Sequence, residues 1–383
     1  MPTTGRNKMT ESRKNSDANS RRAFLKGGAV AAAAGAATLA MPNVARAQDA
    51  VTFKFQSTWP AKDIFHEYAA DFVARVNEMA GGRLKLELLA AGSVAKAFEV
   101  QDAVLAGTLD GGHGVCAYWY GKHKAFSLFG TPPAWGWRAD QMLGWVKYGG
   151  GQALYDELVQ QVLGLNLVGF LTGPMPTQPL GWFKQEITDA AQLSGLKYRT
   201  VGLSADLFKE MGAAVTIMGG GEIVPAMDRG LLDAAEFNNP SSDKLLGFAD
   251  VSKDYMLQSY HQSAECFEII FNKAKYDALA PELQTIIKYA AEAASADMSW
   301  KAMDRYSNDL AALKEAGVKV HRTPDSVLQA QLAAWDKVIA AQSAEPFFAK
   351  VAESQKAWVK RVVSTQFELE VQQNMAFDHF FKA

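Results

Sequence analysis

The sequence predicts an α/β protein of two lobes with a cleft between them and long helices toward its C-terminal end. Three observations carry this expectation. Period-two segments alternate with helical segments through the first half of the chain, the pattern restarts after a Pro-rich crossover, and from Pro281 onward the chain reads almost wholly as helix. A chain of 383 residues also exceeds the roughly 250 to 300 residues at which single cores stop growing, so more than one lobe is expected.

Val51-Thr-Phe-Lys-Phe-Gln alternates and reads as a strand. Ile64 to Met79 sets Ile64, Tyr68, Phe72, Val73 and Val76 on one helical face, and Leu84-Lys-Leu-Glu-Leu-Leu alternates again. Val94 to Ala106 reads as helix, and Gly107 to Val115 as a turn into a strand, which completes a layered βαβα pattern. Asn166 to Leu171 is an apolar strand; Pro174, Pro176 and Pro179 then forbid a helix in the crossover to Glu186. A short helix stops at Gly195 before a strand that ends at Arg199. Ala205 to Met211 is helical and Val215 to Met218 a strand. Gly219-Gly-Gly-Glu turns into a helix from Ile223 to Asp228, with Glu222 complementing the dipole. Glu265 to Phe271 reads as a strand returning to the first lobe. The expected division is therefore 48–173 plus about 263–300 as lobe I and 174–262 as lobe II. Residues 301–383 form long helices that bridge the lobes or reach a partner subunit. Helical patterns run from Pro281 to Lys314, Ser326 to Gln342 and Pro346 to Met375, interrupted by Val318-Lys-Val-His.

Residues 1–47 stand apart. Ser20-Arg-Arg-Ala-Phe-Leu-Lys, a short Ala/Gly-rich apolar run and Ala45-Arg-Ala read as a twin-arginine export signal with its cleavage site near Ala47, which places the mature chain in the periplasm. The apolar run is too short for a good membrane span. Without this leader, which holds eight Lys/Arg and two Asp/Glu, the charged residues fall from 39 and 41 to 31 basic and 39 acidic, a net of −8. Such a surface disfavours nucleic acid, and an anionic ligand needs a local positive site. Cys116 and Cys266 sit far apart in apolar segments, which points to buried, unpaired thiols, with a disulfide as the alternative.

Arg199 is the candidate for that positive site. It ends a short strand, Glu236 ends another with Asn238 and Asn239 just after it, and Gln178 lies in the Pro-flanked crossover. A guanidinium fork makes two parallel charge-assisted hydrogen bonds to a carboxylate, which a lysine cannot reproduce. Trp59, Tyr118, Trp119, Tyr120, Tyr260 and His261 are candidate cleft walls. His66, His113, His123 and His321 show no ligand spacing. No haem, zincin, nucleophile-elbow or phosphate-loop motif is present, and the sequence is not expected to be an enzyme, a periplasmic one remaining as the rival.

Thr177-Gln-Pro-Leu-Gly-Trp-Phe-Lys-Gln-Glu-Ile, Gly195-Leu-Lys-Tyr-Arg, the run from Gly219 to Phe237, and Leu246-Gly-Phe resemble the periplasmic substrate-binding subunits of TRAP transporters, the DctP-type family, in the branch that binds 2-oxo acids and other monocarboxylates. The resemblance spans essentially the whole chain after the leader. It implies a two-lobed periplasmic binding protein fold and capture of a small 2-oxo or 2-hydroxy acid for delivery to the small and large membrane permease subunits. It further implies Arg199 as carboxylate clamp, with Gln178, Tyr118, Asn238 and Phe237 as ligand contacts. A metal cation, Na+ or Ca2+, would sit on Gln178, Glu236, the Phe237 carbonyl and the position of Gln262, with no organic cofactor. Family members usually carry Trp at position 237 and an acid where Gln262 aligns, a loss that favours a weakly held monovalent ion or none. An aromatic carboxylate or a sugar acid is the alternative ligand, and a homodimer through the last long helix is a further implication.

Overall fold

The computed structural model describes residues 50–382; the export signal expected within residues 1–47 lies outside the described residues. The strands, in chain order, are β1 (Val51–Ser57), β2 (Leu84–Leu89), β3 (Gly111–Gly114), β4 (Leu167–Met175), β5 (Gly181–Phe183), β6 (Lys197–Arg199), β7 (Ala214–Thr216), β8 (Ala234–Ala235), β9 (Asp254–Leu257), β10 (Glu265–Asn272) and β11 (Lys319–Arg322). They build two sheets, one of order β2-β1-β3-β10-β4 and one of order β11-β9-β5-β8-β6-β7.

Parallel pairing of β1 with β2 demands a crossover, and helix α1 (Ile64–Ala80) supplies it. Asp63 caps its start by accepting from the Phe65 amide at 3.2 Å, and Gly81 ends it in the left-handed conformation. The helix buries Ile64, Tyr68, Phe72, Val73 and Val76, the stripe that its periodicity predicts. A short 3₁₀ turn and α2 (Val100–Leu105) lead to β3. The expected continuous helix from Val94 is thus shorter, because Gln56 draws the amides of Val94 and Ala95 onto its own side-chain oxygen.

Helix α3 (Ala139–Tyr148) and the helical turns from Gly151 to Val162 have no counterpart in the sequence reading. Gly144 inside α3 hides the pattern; a Cβ there would sit 3.1 Å from the Trp358 ring, so the glycine serves a close helix contact. In the second sheet, α4 (Leu203–Glu210), α5 (Gly220–Asp228) and α6 (Pro240–Leu246) follow β6, β7 and β8. Strand β10 then returns to the first sheet, antiparallel to β3 and β4.

Three long helices complete the chain. α7 (Pro281–Glu315) spans 35 residues, about 52 Å at 1.5 Å per residue. It packs on β4 and α1, and Asp309 near its end accepts from Ser241 of α6 at 2.6 Å, so one helix touches both sheet systems. β11 then pairs with β9, α8 (Asp325–Gln342) lies on α4, and α9 (Pro346–Leu369) packs along α3. The pattern expected to run to Met375 stops at Leu369. Glu370 turns extended, and α10 (Gln373–Phe381) begins after it with no buried residue.

Candidate functional site

β6 and β8 are parallel neighbours with Arg199 opposite Ala235, which sets Arg199 beside Glu236 at the carboxyl ends of both strands. Loops there carry no further strand pairing, and side chains from both sheets converge on them. Both side chains are 1 % exposed. Arg199 Nε and Nη2 donate to the Met218 carbonyl at 3.0 and 2.9 Å. Nη1 donates to the Glu236 carbonyl at 2.9 Å and to its Oε1 at 3.1 Å. Of the five guanidinium N–H bonds, these use four and leave one on Nη2.

A second carboxyl faces the same place. Glu265, the first residue of β10, accepts from Gln178 Nε2 and, at 2.6 Å, from Asn238 Nδ2. In the sequence Glu265 reads only as the start of the returning strand; in the fold it is the acid that joins the crossover, the Asn238 loop and the first sheet. Burial pushes the Glu265 carboxyl up to about 8, against the hydrogen bonds from Gln178 and Asn238 and aided by the charge of Glu236. Burial likewise raises Glu236 to about 7, with Arg199 pulling the other way. One arginine does not neutralise two carboxyls. The pocket favours protonation unless another positive charge enters.

Between these groups lies a small cavity of about 10 Å³ among buried residues, lined by Gln178, Arg199, Asn238, Gln262 and Glu265 on its polar side. Trp59, Phe65, Val115, Tyr118, Val201 and Phe237 form its apolar wall. Gln178 Oε1 and both amide atoms of Gln262 are buried without a hydrogen-bond partner, and so is Glu236 Oε2. Unpaired buried polar atoms cost on the order of 1 to 3 kcal/mol each, so their gathering at one cavity needs an explanation. Oxygen atoms of carboxylate and amide are the donors a hard cation takes.

The structure therefore brings Arg199, Gln178, Tyr118, Phe237, Asn238 and Gln262 to one cavity, with Glu236 held against Arg199. It sends other candidates elsewhere. Trp119 turns away and donates to Glu268 at 2.5 Å, and Tyr120 binds Asp206. His113 accepts from Trp59 Nε1 at 2.9 Å behind the cavity, and burial lowers it to about 3. His321 joins β11 to β9 through Asp254 at 2.9 Å. Cys116 and Cys266 are both free and buried. Phe65, Val115 and Val201 escaped the sequence reading because each looks like any core residue. A wider groove of about 780 Å³, between α3 and the first half of α7, lies away from Arg199 and is crossed by the Lys147–Glu292 ion pair.

Residues 55–345 match the family of bacterial extracellular solute-binding proteins, family 7, DctP. The chain belongs to this family. The monocarboxylate 2-oxoacid-binding periplasmic protein of Nostoc sp. is 32 % identical over 314 residues, covering 82 % of this chain and 85 % of the relative. Among solved members of the family, the TRAP solute-binding protein of Colwellia psychrerythraea, with bound calcium and pyruvate, superimposes with TM-score 0.79 at 28 % identity, over 86 % of this chain and 99 % of that one. That of Pseudoalteromonas atlantica, with bound sodium and pyruvate, gives 0.78 at 29 %, over 83 % and 96 %. An apo open structure from Rhodobacter sphaeroides gives only 0.58 at 27 %, over 81 % and 98 %. Identity barely changes across this series while the score drops. The arrangement of this solute-binding protein is thus more similar to the pyruvate-bound structures than to the open one. No described helix is long and apolar enough to cross a membrane.

Proposed function

We propose that this chain is the periplasmic receptor of a TRAP transporter that captures a 2-oxo or 2-hydroxy monocarboxylate through Arg199 and presents it to the membrane permease. The small cavity, where a buried guanidinium meets unpaired buried oxygens, carries the reading. The ligand carboxylate takes the remaining Nη2 N–H of Arg199. The second contact of a fork requires Nη1 to exchange Glu236 Oε1 for a ligand oxygen. Tyr118, Phe237 and Asn238 line the space around the ligand's carbon chain and its 2-oxygen.

Gln178 Oε1, Gln262 Oε1, the Glu236 carboxylate and the Phe237 carbonyl are the oxygens that would hold Na+ or Ca2+. Such a cation polarises a 2-oxo group and offsets the ligand's charge. Among the described residues no three His, Cys, Asp or Glu side chains gather as a metal site, so the donor set leans on amides and suits a weakly held ion. The sodium and calcium of the pyruvate-bound relatives support this assignment. The reading includes a homodimer, supported by exposed apolar side chains from Phe367 to Phe381. Export by the twin-arginine route and delivery to the permease rest on the leader and on family membership.

Calorimetric titration of the mature protein with pyruvate, lactate, benzoate and galacturonate tests it, after chelation and with sodium or calcium restored. Micromolar pyruvate affinity, roughly −8 kcal/mol, that depends on the cation is the expected outcome. Preference for benzoate or galacturonate would move the assignment to an aromatic or sugar acid. Heat from none of these acids in ligand-free protein would overturn it.

A further inference from the structure

Resting on the reading above, which leaves the ion open between sodium and calcium, we infer that Glu265 decides it: its carboxylate is a second anionic donor beside Glu236 and fits the cleft to Ca2+ over Na+. The donor set given there counts a single carboxylate, Glu236, together with two amide oxygens and the Phe237 carbonyl. Sodium and calcium ions are nearly equal in radius and both take oxygen ligands. Size therefore separates them poorly, and the charge of the donors selects.

Glu265 stands where such a donor is needed. It opens β10, is 4 % exposed, and lines the same cavity as Arg199, Gln178 and Gln262. Both hydrogen bonds to its side chain fall on one oxygen: Oε2 accepts from Gln178 Nε2 and, at 2.6 Å, from Asn238 Nδ2. Among the described residues Oε1 accepts none. An ionised carboxylate only accepts, so the two amide donors hold Oε2 and leave Oε1 for a ligand. The same bond orients Gln178. With its amide nitrogen on Glu265, Gln178 Oε1 is left buried without a partner, as are Gln262 Oε1 and Glu236 Oε2. Four residues thus each keep one oxygen free, and none of them is more than 4 % exposed.

Charge counting then favours the divalent ion. Arg199 and Glu236 pair at 3.1 Å and balance each other. Glu265 and the ligand carboxylate add two negative charges, and Arg199 is the one basic residue in the cavity lining. Asp243, buried in the first turn of α6 and bonded to Trp182 Nε1 at 2.9 Å, deepens the negative field. Uncompensated charge is costly away from water. Calcium closes the count to zero, whereas sodium leaves one negative charge over. With an amide in place of the Glu265 carboxylate the count changes by one, and sodium closes it instead.

Calorimetric titrations of the chelated mature chain with calcium and with sodium, pyruvate present in both, test the inference. Wild-type protein is expected to hold Ca2+ about a hundredfold more tightly than Na+. In Glu265→Gln, which keeps the side chain's shape and an acceptor for Gln178 and Asn238, Ca2+ affinity should fall about a hundredfold while Na+ affinity stays within about threefold. Glu265→Asp keeps the charge and should recover part of the calcium preference. Terbium, a calcium-like ion, gives a readout that needs no pyruvate. Trp59 and Tyr118 line the cavity, so exciting them should produce terbium emission that calcium abolishes by displacement and that Glu265→Gln lacks. Sodium bound as tightly as calcium in wild type, or calcium affinity unchanged in Glu265→Gln, would overturn the inference and leave the 2-oxo acid reading standing. So would pyruvate binding that needs no ion. If pyruvate binds under none of these conditions, the reading falls first and the inference with it.

Discussion

Around Arg199 the protein buries two carboxyls and several amides between its sheets, whereas from Phe367 onward it leaves seven large apolar side chains more than half exposed. The two regions break the ordinary partition of polar and apolar groups in opposite senses. In the cleft, polar atoms lack partners inside the chain; on the tail, apolar atoms do. Each points to something the chain does not carry by itself, a small charged ligand in one place and a protein surface in the other. The difference also separates their energetics. A charged cleft is sensitive to single atoms, while an apolar tail gains from area and tolerates exchange of one residue.

Arg199→Ala should have the largest effect on this contrast. It removes the guanidinium that lines the cavity, and with it two charge-assisted hydrogen bonds to the ligand carboxylate on the order of 1.5 to 3 kcal/mol each, so ligand affinity should drop by more than a hundredfold in calorimetry. Arg199→Lys should lose on the order of 1.5 to 3 kcal/mol, because the fork geometry goes while the charge remains. Retained affinity in Arg199→Ala would place the carboxylate elsewhere. Truncation after Leu369 should act only on the other region. Light scattering should give a dimer for the mature chain and a monomer for the truncated one, with ligand affinity unchanged. A monomeric full-length protein would remove the assigned partner of the tail.

A smaller effect concerns pH. Glu236 and Glu265 sit near 7 and 8 when buried, above the ordinary 4.5 that they have in an unfolded chain. The folded, ligand-free protein therefore binds more protons than the unfolded one. Their contribution to stability is greatest below about 4.5 and is lost as pH rises through 7 and 8. The melting temperature of chelated protein should fall across this window, and calcium with pyruvate should flatten the slope. A slope of the opposite sign would show that these carboxyls are ionised and compensated without a ligand. The smallest effect is expected from Cys116 and Cys266. Both thiols are free and buried, so a reductant should leave the melting temperature unchanged, and a thiol reagent should titrate two groups only after denaturation.

Much of the architecture was readable from local pattern. β1, α1 and β2 follow from period two, period 3.6 and the Gly81 stop, because each buries one face against its neighbours. α7 and α8 begin and end within a residue or so of the sequence reading. Helix α3 was missed because its glycine belongs to a contact with Trp358, more than two hundred positions away. The break after Leu369 was missed as well. The helical pattern continues past it in sequence, but Glu370 to Gln372 are exposed and nothing packs there to hold the turn. In the site, charge and strand-end position pointed to Arg199 and Glu236, while Glu265 looked like one acid among many until β10 carried it to Gln178 and Asn238.

The sequence by itself determined the alternation of elements, the net charge, the helical C-terminal half and an arginine at a strand end, since these depend on residues close together in the chain. Only the tertiary structure decided that the Glu265 carboxyl lines one cavity with that arginine and that Glu236 is buried against it. It also decided that Phe237 rests on Gly220 and that the thiols stay free. The physical reason is that burial and pairing are properties of the assembled surface: a carboxyl's proton affinity, or a glycine's necessity, depends on which distant side chain the fold sets beside it.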